Sequence, residues 1–331
     1  MADVSELLVA APSSPVPSRD GTRARDPRRA LQLVLATLWL LDGVLQFQPV
    51  FFTKVFGTQM IGRVARKNPS IIAHPITSAA QTIGHHAVVT NTAFALIQVL
   101  LALGIAWRPT LRPALAASVL WSLAVWWIGE GLGGVLNGGA NPVNGAPGAV
   151  LIYAILAVLL WPSDRARAAP PFVAARDVGT PIAKAVWLVF WGALAFFALV
   201  GSNRSPEGLR DIVGGLASRE PGWLSTLDRH VASLLAHRGL TFSVVLTVLL
   251  ALVAVGVYLP PRGACLAVVL AIGVSVVFWV IGQNFGKIFT GGATDPNSGP
   301  LLVVLGLAYW RRREVPGPAS GSRAVLDPQG A

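Results

Sequence analysis

Residues 127–147 read WIGEGLGGVLNGGANPVNGAP, and residues 280–300 read VIGQNFGKIFTGGATDPNSGP. In one register Ile128 and Gly129 fall on Ile281 and Gly282, Glu130 on Gln283, and Gly133 on Gly286. Gly138-Gly139-Ala140 falls on Gly291-Gly292-Ala293; after one inserted residue, Pro142 and Gly145 fall on Pro296 and Gly299. A Gly- and Pro-rich match of this density marks a tandem duplication. It extends outward: Asn68-Pro69 parallels Glu220-Pro221, His85 parallels His237, and Asp42 aligns with Trp191.

The 331 residues are 53% apolar and only 12% charged, with a mean hydropathy of +0.61. A water-facing domain carries about 25% charge, so this chain cannot cover a solvated surface of its size. Its apolar runs instead specify a polytopic membrane protein. The net charge of +11 comes from 22 Arg and 4 Lys against 15 acidic residues. These bases sit in short segments between apolar runs, which is positive-inside anchoring and not a nucleic-acid face. The expected partner is the lipid bilayer, with a second membrane protein as a further candidate and no nucleic acid. The Arg excess also points to a GC-rich bacterial genome. One cysteine, Cys265, excludes an internal disulfide or a thiolate metal cage.

The pattern divides the chain into a basic tail (1–30), a first four-helix repeat (31–161), a linker (162–180), a second repeat (181–310) and a basic tail (311–331). The fold class is all-α, with about eight transmembrane helices in two fused four-helix repeats. The expected spans are 31–52, 87–107, 113–136 and 145–161, then 181–201, 240–259, 263–289 and 299–310. Four spans per unit make the repeats parallel. With both termini cytoplasmic, sixteen Lys and Arg fall inside and ten outside, which orients the chain in a bacterial plasma membrane. Residues 223–235 place Leu224, Leu227, Val231 and Leu234 at helical spacing, with Ser225 and Arg229 on the other face, an amphipathic helix.

Span 299–310 reaches only about 18 Å at 1.5 Å per residue, and its counterpart about 25 Å, against an apolar core of about 30 Å. Paired short spans opened by Gly and Pro point to a transporter-type site. Its donors would be Asn137, Asn141 and Asn144 in the first loop, with Asp295, Asn297 and Ser298 in the second. The competing reading is a pair of hydrated turns whose Asn side chains cap helix ends.

Asp42 and Glu130 are the acidic residues inside expected spans, each costing roughly 2.5–3.5 kcal/mol at mid-membrane. They read as proton carriers or as hydrogen-bonded structural carboxyls, with Gln283 as the uncharged counterpart of Glu130. Gly129 and Gly133, like Gly282 and Gly286, stand one turn apart and read as helix-packing positions between the units. His85, His230 and His237 offer a weak case for haem or metal ligation, His230 and His237 being placed on one helix face. No phosphate loop, dinucleotide fingerprint, nucleophile elbow or zinc motif is present, so no catalytic residue is assigned.

The first helix closes on Gly43-Val44-Leu45-Gln46-Phe47-Gln48-Pro49-Val50-Phe51, and an amphipathic segment follows. The second ends at Leu103-Gly104 before Arg108 and Arg112, and a last short helix opens near Tyr153. In outline each unit resembles the small four-helix DoxX/DoxD-type membrane proteins. That resemblance implies an accessory role in a redox or envelope process, and quinone or haem as cofactor. Where a Glu-Gly-Gly pattern is expected, this chain has Ile97-Gln98-Val99.

Overall fold

A computed structural model describes residues 26–163, 170–218 and 220–311. The tails and part of the linker lie outside the described residues, and with them any account of their order. Among the described residues the chain is 78% helical and forms no strand. The first half contains α1 (Pro27–Leu45), α2 (Ser70–His85), α3 (Ala87–Ala106), α4 (Leu111–Ile128) and α5 (Ala149–Leu159). The second half contains α6 (Thr180–Ala198), α7 (Gly208–Leu216), α8 (Gly222–Leu235), α9 (Gly239–Gly256), α10 (Pro261–Val277) and α11 (Ser298–Ala308).

Five helices are long and apolar enough to cross a membrane, fewer than the eight expected. They are α3, α4 with its preceding turn, α6, α9 and α10 with its continuation to Thr290. The reasons are local. Helix α1 starts four residues before the expected span, its N-terminus capped by the Asp26 carboxylate, which accepts from the Arg28 N–H. It ends at Leu45 because the chain turns into Pro49, which has no N–H to extend a ladder. It also carries Arg28, Arg29, Gln32 and Asp42. Helices α5 and α11 have 11 residues each, about 16 Å. The expected span 113–136 breaks at 128, where a glycine-rich turn takes over, whereas 263–289 runs on past 277 as a π-helical segment to Gly282 before its left-handed turn.

The outward faces of these helices are apolar, with Val89, Leu100, Leu120, Val189 and Val245 all well exposed. In water such faces would drive aggregation; around a bundle they are the surface that lipid covers. Inside, α1 packs on α3, α4 on α5, α6 on α9 and α10 on α11, and α5 meets α11 between the halves. One buried apolar cluster runs through both halves. At one end, the Arg29 guanidinium donates to the Ile105 and Ala106 carbonyls at the end of α3. Arg28 donates to the Trp161 and Ser163 carbonyls after α5. These cations meet the negative ends of two helix dipoles.

The buried positions of the two halves follow one pattern. Leu31, Leu35, Leu38, Trp39, Asp42 and Gly43 of α1 match Ala183, Trp187, Phe190, Trp191, Leu194 and Ala195 of α6. Leu111, Leu115, Ser118 and Ser122 of α4 match Ala264, Val268, Ala271 and Ser275 of α10. The register therefore pairs Trp39 with Trp191 and moves Asp42 onto Leu194, three residues from its expected partner. The matching tryptophans, facing inward at the same depth, dictate it.

Helix α8 forms where expected but buries Leu224, Ser225, Asp228 and Ala232. Ser225, expected outside, is inside, and Leu234 is exposed. The polar edge turns inward because Asn284 donates to the Asp228 carboxylate across 2.7 Å. Of the apolar stripe, Leu224 stays buried, Leu227 and Val231 are half-buried and Leu234 is exposed.

Candidate functional site

Past α4 and α10 the backbone makes the same left-handed excursion twice. Gly131, Leu132, Gly133 and Gly134 have φ of 56°, 58°, 63° and 74°; Asn284, Phe285, Gly286 and Lys287 have 45°, 55°, 72° and 59°. Gly133 and Gly286 sit where a Cβ would collide with the backbone of Pro147 and Pro296. These glycines are therefore turn residues and not members of a small-residue stripe on one helix, because α4 ends at Ile128 before Gly129 and Gly133 share a turn. Gly282 does pack between the halves, its Cβ position lying against the Val143 carbonyl.

Each turn is pinned by a tryptophan. The indole N–H of Trp126 donates to the Pro147 carbonyl at 2.6 Å, and that of Trp279 to the Pro296 carbonyl at 2.9 Å. Pro147 therefore occupies the place of Pro296, a position the expected alignment gave to Pro142. The short helices then start in step. Gln283 accepts from the Gly299 N–H at 3.0 Å and donates to the Ser298 hydroxyl at 2.8 Å, capping α11. Glu130 meets α5 in the same way, accepting from the Val150 N–H at 3.4 Å. A carboxylate at a helix N-terminus is favoured by the dipole.

Most of the loop asparagines serve the turns. Asn137 accepts from the Gly139 N–H, Asn141 from the Val143 N–H and Asn297 from the Ser298 N–H. Asn141 also donates to Asn203 of the second half at 2.5 Å. Asn144 is exposed and lines a small polar cavity of about 230 Å³ together with Glu130, Asp295 and Asn297.

A larger cavity, about 820 Å³, lies inside the first half, roofed by α2 and walled by α1, α3 and α4. Its walls are chiefly apolar and aromatic, with Trp39, Phe56, Phe94 and Trp121 contributing ring surface. Asp42, Gln98 and Glu130 enter from three different elements, and Asp295 arrives from the second half with Thr294. Glu130 and Asp295 line both cavities, so this pair stands between the two spaces. Asp42 is 1% exposed and Gln98 7%, yet Asp42 Oδ1, Gln98 Oε1, Glu130 Oε2 and Trp121 Nε1 have no hydrogen-bond partner among the described residues. Tyr153, stacked on Trp39 at 4.1 Å, faces Asp42 with its hydroxyl. Leaving such groups unpaired costs about 1–3 kcal/mol each, a cost that a bound polar group would remove.

The second half lacks this chemistry at matching positions. Leu194 stands for Asp42, Leu250 for Gln98, Val274 for Trp121 and Leu302 for Tyr153, and Gln283 for Glu130 is fully bonded. Leu250 follows from the buried residues of α3 and α9, where Ala87, Asn91, Leu101 and Ala102 match Gly239, Ser243, Val253 and Ala254. Trp187, Phe190 and Trp191 fill the α6 side. Even the orphaned Trp191 N–H is explained: Trp39 donates to Ser118 at 3.0 Å, whereas Ala271 replaces that serine.

The histidines stay apart from the cavity. His85 is exposed at the end of α2; His230 is exposed on α8. His237 has φ of 59° and lies beyond Leu235, where α8 stops, so it does not share a helix face with His230. Its Nδ1 pairs with Glu207 at 2.6 Å. Among the described residues no group of His, Cys, Asp and Glu can hold a metal ion.

Sequence reasoning passed over Gln98 as a site residue, and also Trp121, Phe94 and the Asp228–Asn284 pair. Gln98 carried the clearest signal, an amide inside an apolar run. No family model, no curated protein and no solved structure matches this chain.

Proposed function

We infer that this chain is a multi-pass membrane protein whose first repeat binds a small amphiphilic molecule, while its second repeat is a packed scaffold that closes one wall. What carries the reading is the 820 Å³ cavity with unpartnered Asp42, Gln98, Glu130 and Trp121, set against Leu194, Leu250, Val274 and the fully bonded Gln283 at the matching places. Its volume and its few converging polar atoms are those of a ligand pocket. The membrane arrangement that goes with it has eight embedded helices in two fused four-helix repeats: five full spans, α1, and the two short helices completed in depth by their loops. Both termini face the cytoplasm of a bacterial cell. The role is that of a non-catalytic, accessory component of a redox or envelope process, in keeping with the DoxX-like outline, presenting its ligand to a partner in the membrane.

A second reading is transport. The observation favouring it is that Glu130 and Asp295 line both the apolar cavity and the small polar one, so that the two acids stand between them.

Binding of a fluorescent apolar probe to the protein in lipid nanodiscs tests the first reading. One saturable site per chain is expected. It should be lost in Ala124→Trp, which fills the cavity, and retained in Val277→Trp, the matching change on α10. Equal binding by both variants overturns it. Transport requires, in addition, ligand flux in vesicles that Glu130→Gln and Asp295→Asn abolish.

A further inference from the structure

We propose that the head group the cavity selects is cationic: the ligand is an apolar molecule carrying one protonated amine. This rests on the cavity being a ligand site, as inferred above, and adds the chemical class of what enters it.

The inventory of donors and acceptors points one way. The unpartnered atoms of Asp42, Gln98 and Glu130 are all acceptors, and they belong to three different elements converging on one space. Among the described residues the unpartnered donors there are the Trp121 N–H and, beside Asp42, the Tyr153 hydroxyl. A third carboxylate, Asp295, completes the ring from the second half; its oxygens already accept from Thr294 and from the Asn297 N–H. Among the described residues no Lys, Arg or His lines the cavity. Carboxyls without a counter-cation inside low-dielectric walls resist ionising; an entering ammonium supplies the missing counter-charge, whereas a carboxylate or phosphate would add to the repulsion.

The apolar walls fit the same ligand. Trp39, Phe56, Phe94 and Trp121 present aromatic surface around the acids; aromatic faces attract cations as well as apolar groups. An ammonium supplies three N–H donors and a charge, while its hydrocarbon part covers the rings. A hydroxyl supplies one donor and no charge. The second half, with Leu194, Leu250 and Gln283 at these places, has neither the acceptors nor the field.

The test uses one rigid apolar body with three head groups: 1-aminoadamantane, 1-adamantanol and 1-adamantanecarboxylate. Their binding to the full chain in lipid nanodiscs is measured by calorimetry at neutral pH. The amine should bind at least about tenfold more tightly than the alcohol, as a charge-assisted contact does over a neutral one, and the carboxylate not at all. Asp42→Asn, which keeps shape and fold, should bring the amine down to the affinity of the alcohol while leaving the alcohol unchanged. Glu130→Gln, the residue already carried at the matching place as Gln283, should reduce the amine preference in the same direction. An alcohol that binds as well as the amine overturns the cationic assignment and leaves the cavity reading intact. So does an amine preference that survives both substitutions. Failure of all three compounds to bind overturns both readings.

Discussion

Replacing Asp42 by leucine should make the protein more stable and stop it binding. The position is 1% exposed, its Oδ1 has no partner, and α6 carries Leu194 at the matching place with 1% exposure. Removing an unsatisfied buried acceptor returns about 1–3 kcal/mol, and isolating the Tyr153 hydroxyl beside it gives back about 1. A net gain of about 0–2 kcal/mol follows, a rise in Tm of up to several degrees at about 2–4 °C per kcal/mol. Thermal unfolding followed by near-ultraviolet circular dichroism measures the first half of the expectation. Calorimetry with 1-aminoadamantane measures the second, where a loss beyond detection is expected. A variant destabilised by more than about 1 kcal/mol would refute the reasoning, because it would mean that the native fold already satisfies this carboxyl.

Four further outcomes follow from the same contacts. Ala271→Ser restores to α10 the hydroxyl that Ser118 offers Trp39 in α4 and should stabilise by about 1 kcal/mol through the Trp191 N–H; chemical unfolding of the two proteins decides it. Gly282→Val drives a side chain into the Val143 carbonyl between the halves and should cost about 1–3 kcal/mol, read as a lower Tm. Gln283→Leu strips the Ser298 and Gly299 caps from α11 and should cost about 1–3 kcal/mol, with faster hydrogen exchange in the first turn of that helix. Asp228 concerns pH. Burial holds its carboxyl above the ordinary carboxylate range, with the hydrogen bond from Asn284 opposing. A raised folded value means its stabilising share is complete below about pH 4, the unfolded value, and is lost as pH rises through the folded one. Asp228→Asn should therefore flatten the fall in stability above pH 4, measured as Tm across a pH series.

The apolar helices were legible because burial from water writes itself into composition, and the paired loops because left-handed turns demand glycine. Asp42 and Glu130 stood out as acids in apolar runs, and both line the cavity. The helix ends were not legible: Gly129 and Gly133 keep helical spacing in sequence while the backbone between them has already turned left-handed. The pairing of Asp42 was misplaced because Trp39 and Trp191, which fix the register of α1 and α6, are matched in depth and not in flanking sequence. The meeting of Asp295 with Glu130 depends on how the second loop folds over the first half, a contact more than a hundred residues apart in the chain. No local pattern encodes such a contact. The polar face of α8 was misassigned for a similar reason, since its partner Asn284 lies in a distant turn.

The measurement that bears most directly on a ligand cavity confined to the first repeat is native mass spectrometry of the protein released from native lipid. One small apolar amine retained per chain by the wild type and by Val277→Trp, and absent from Ala124→Trp, is the expected result. A wild-type chain carrying nothing but bulk phospholipid, indistinguishable from Ala124→Trp, would contradict it.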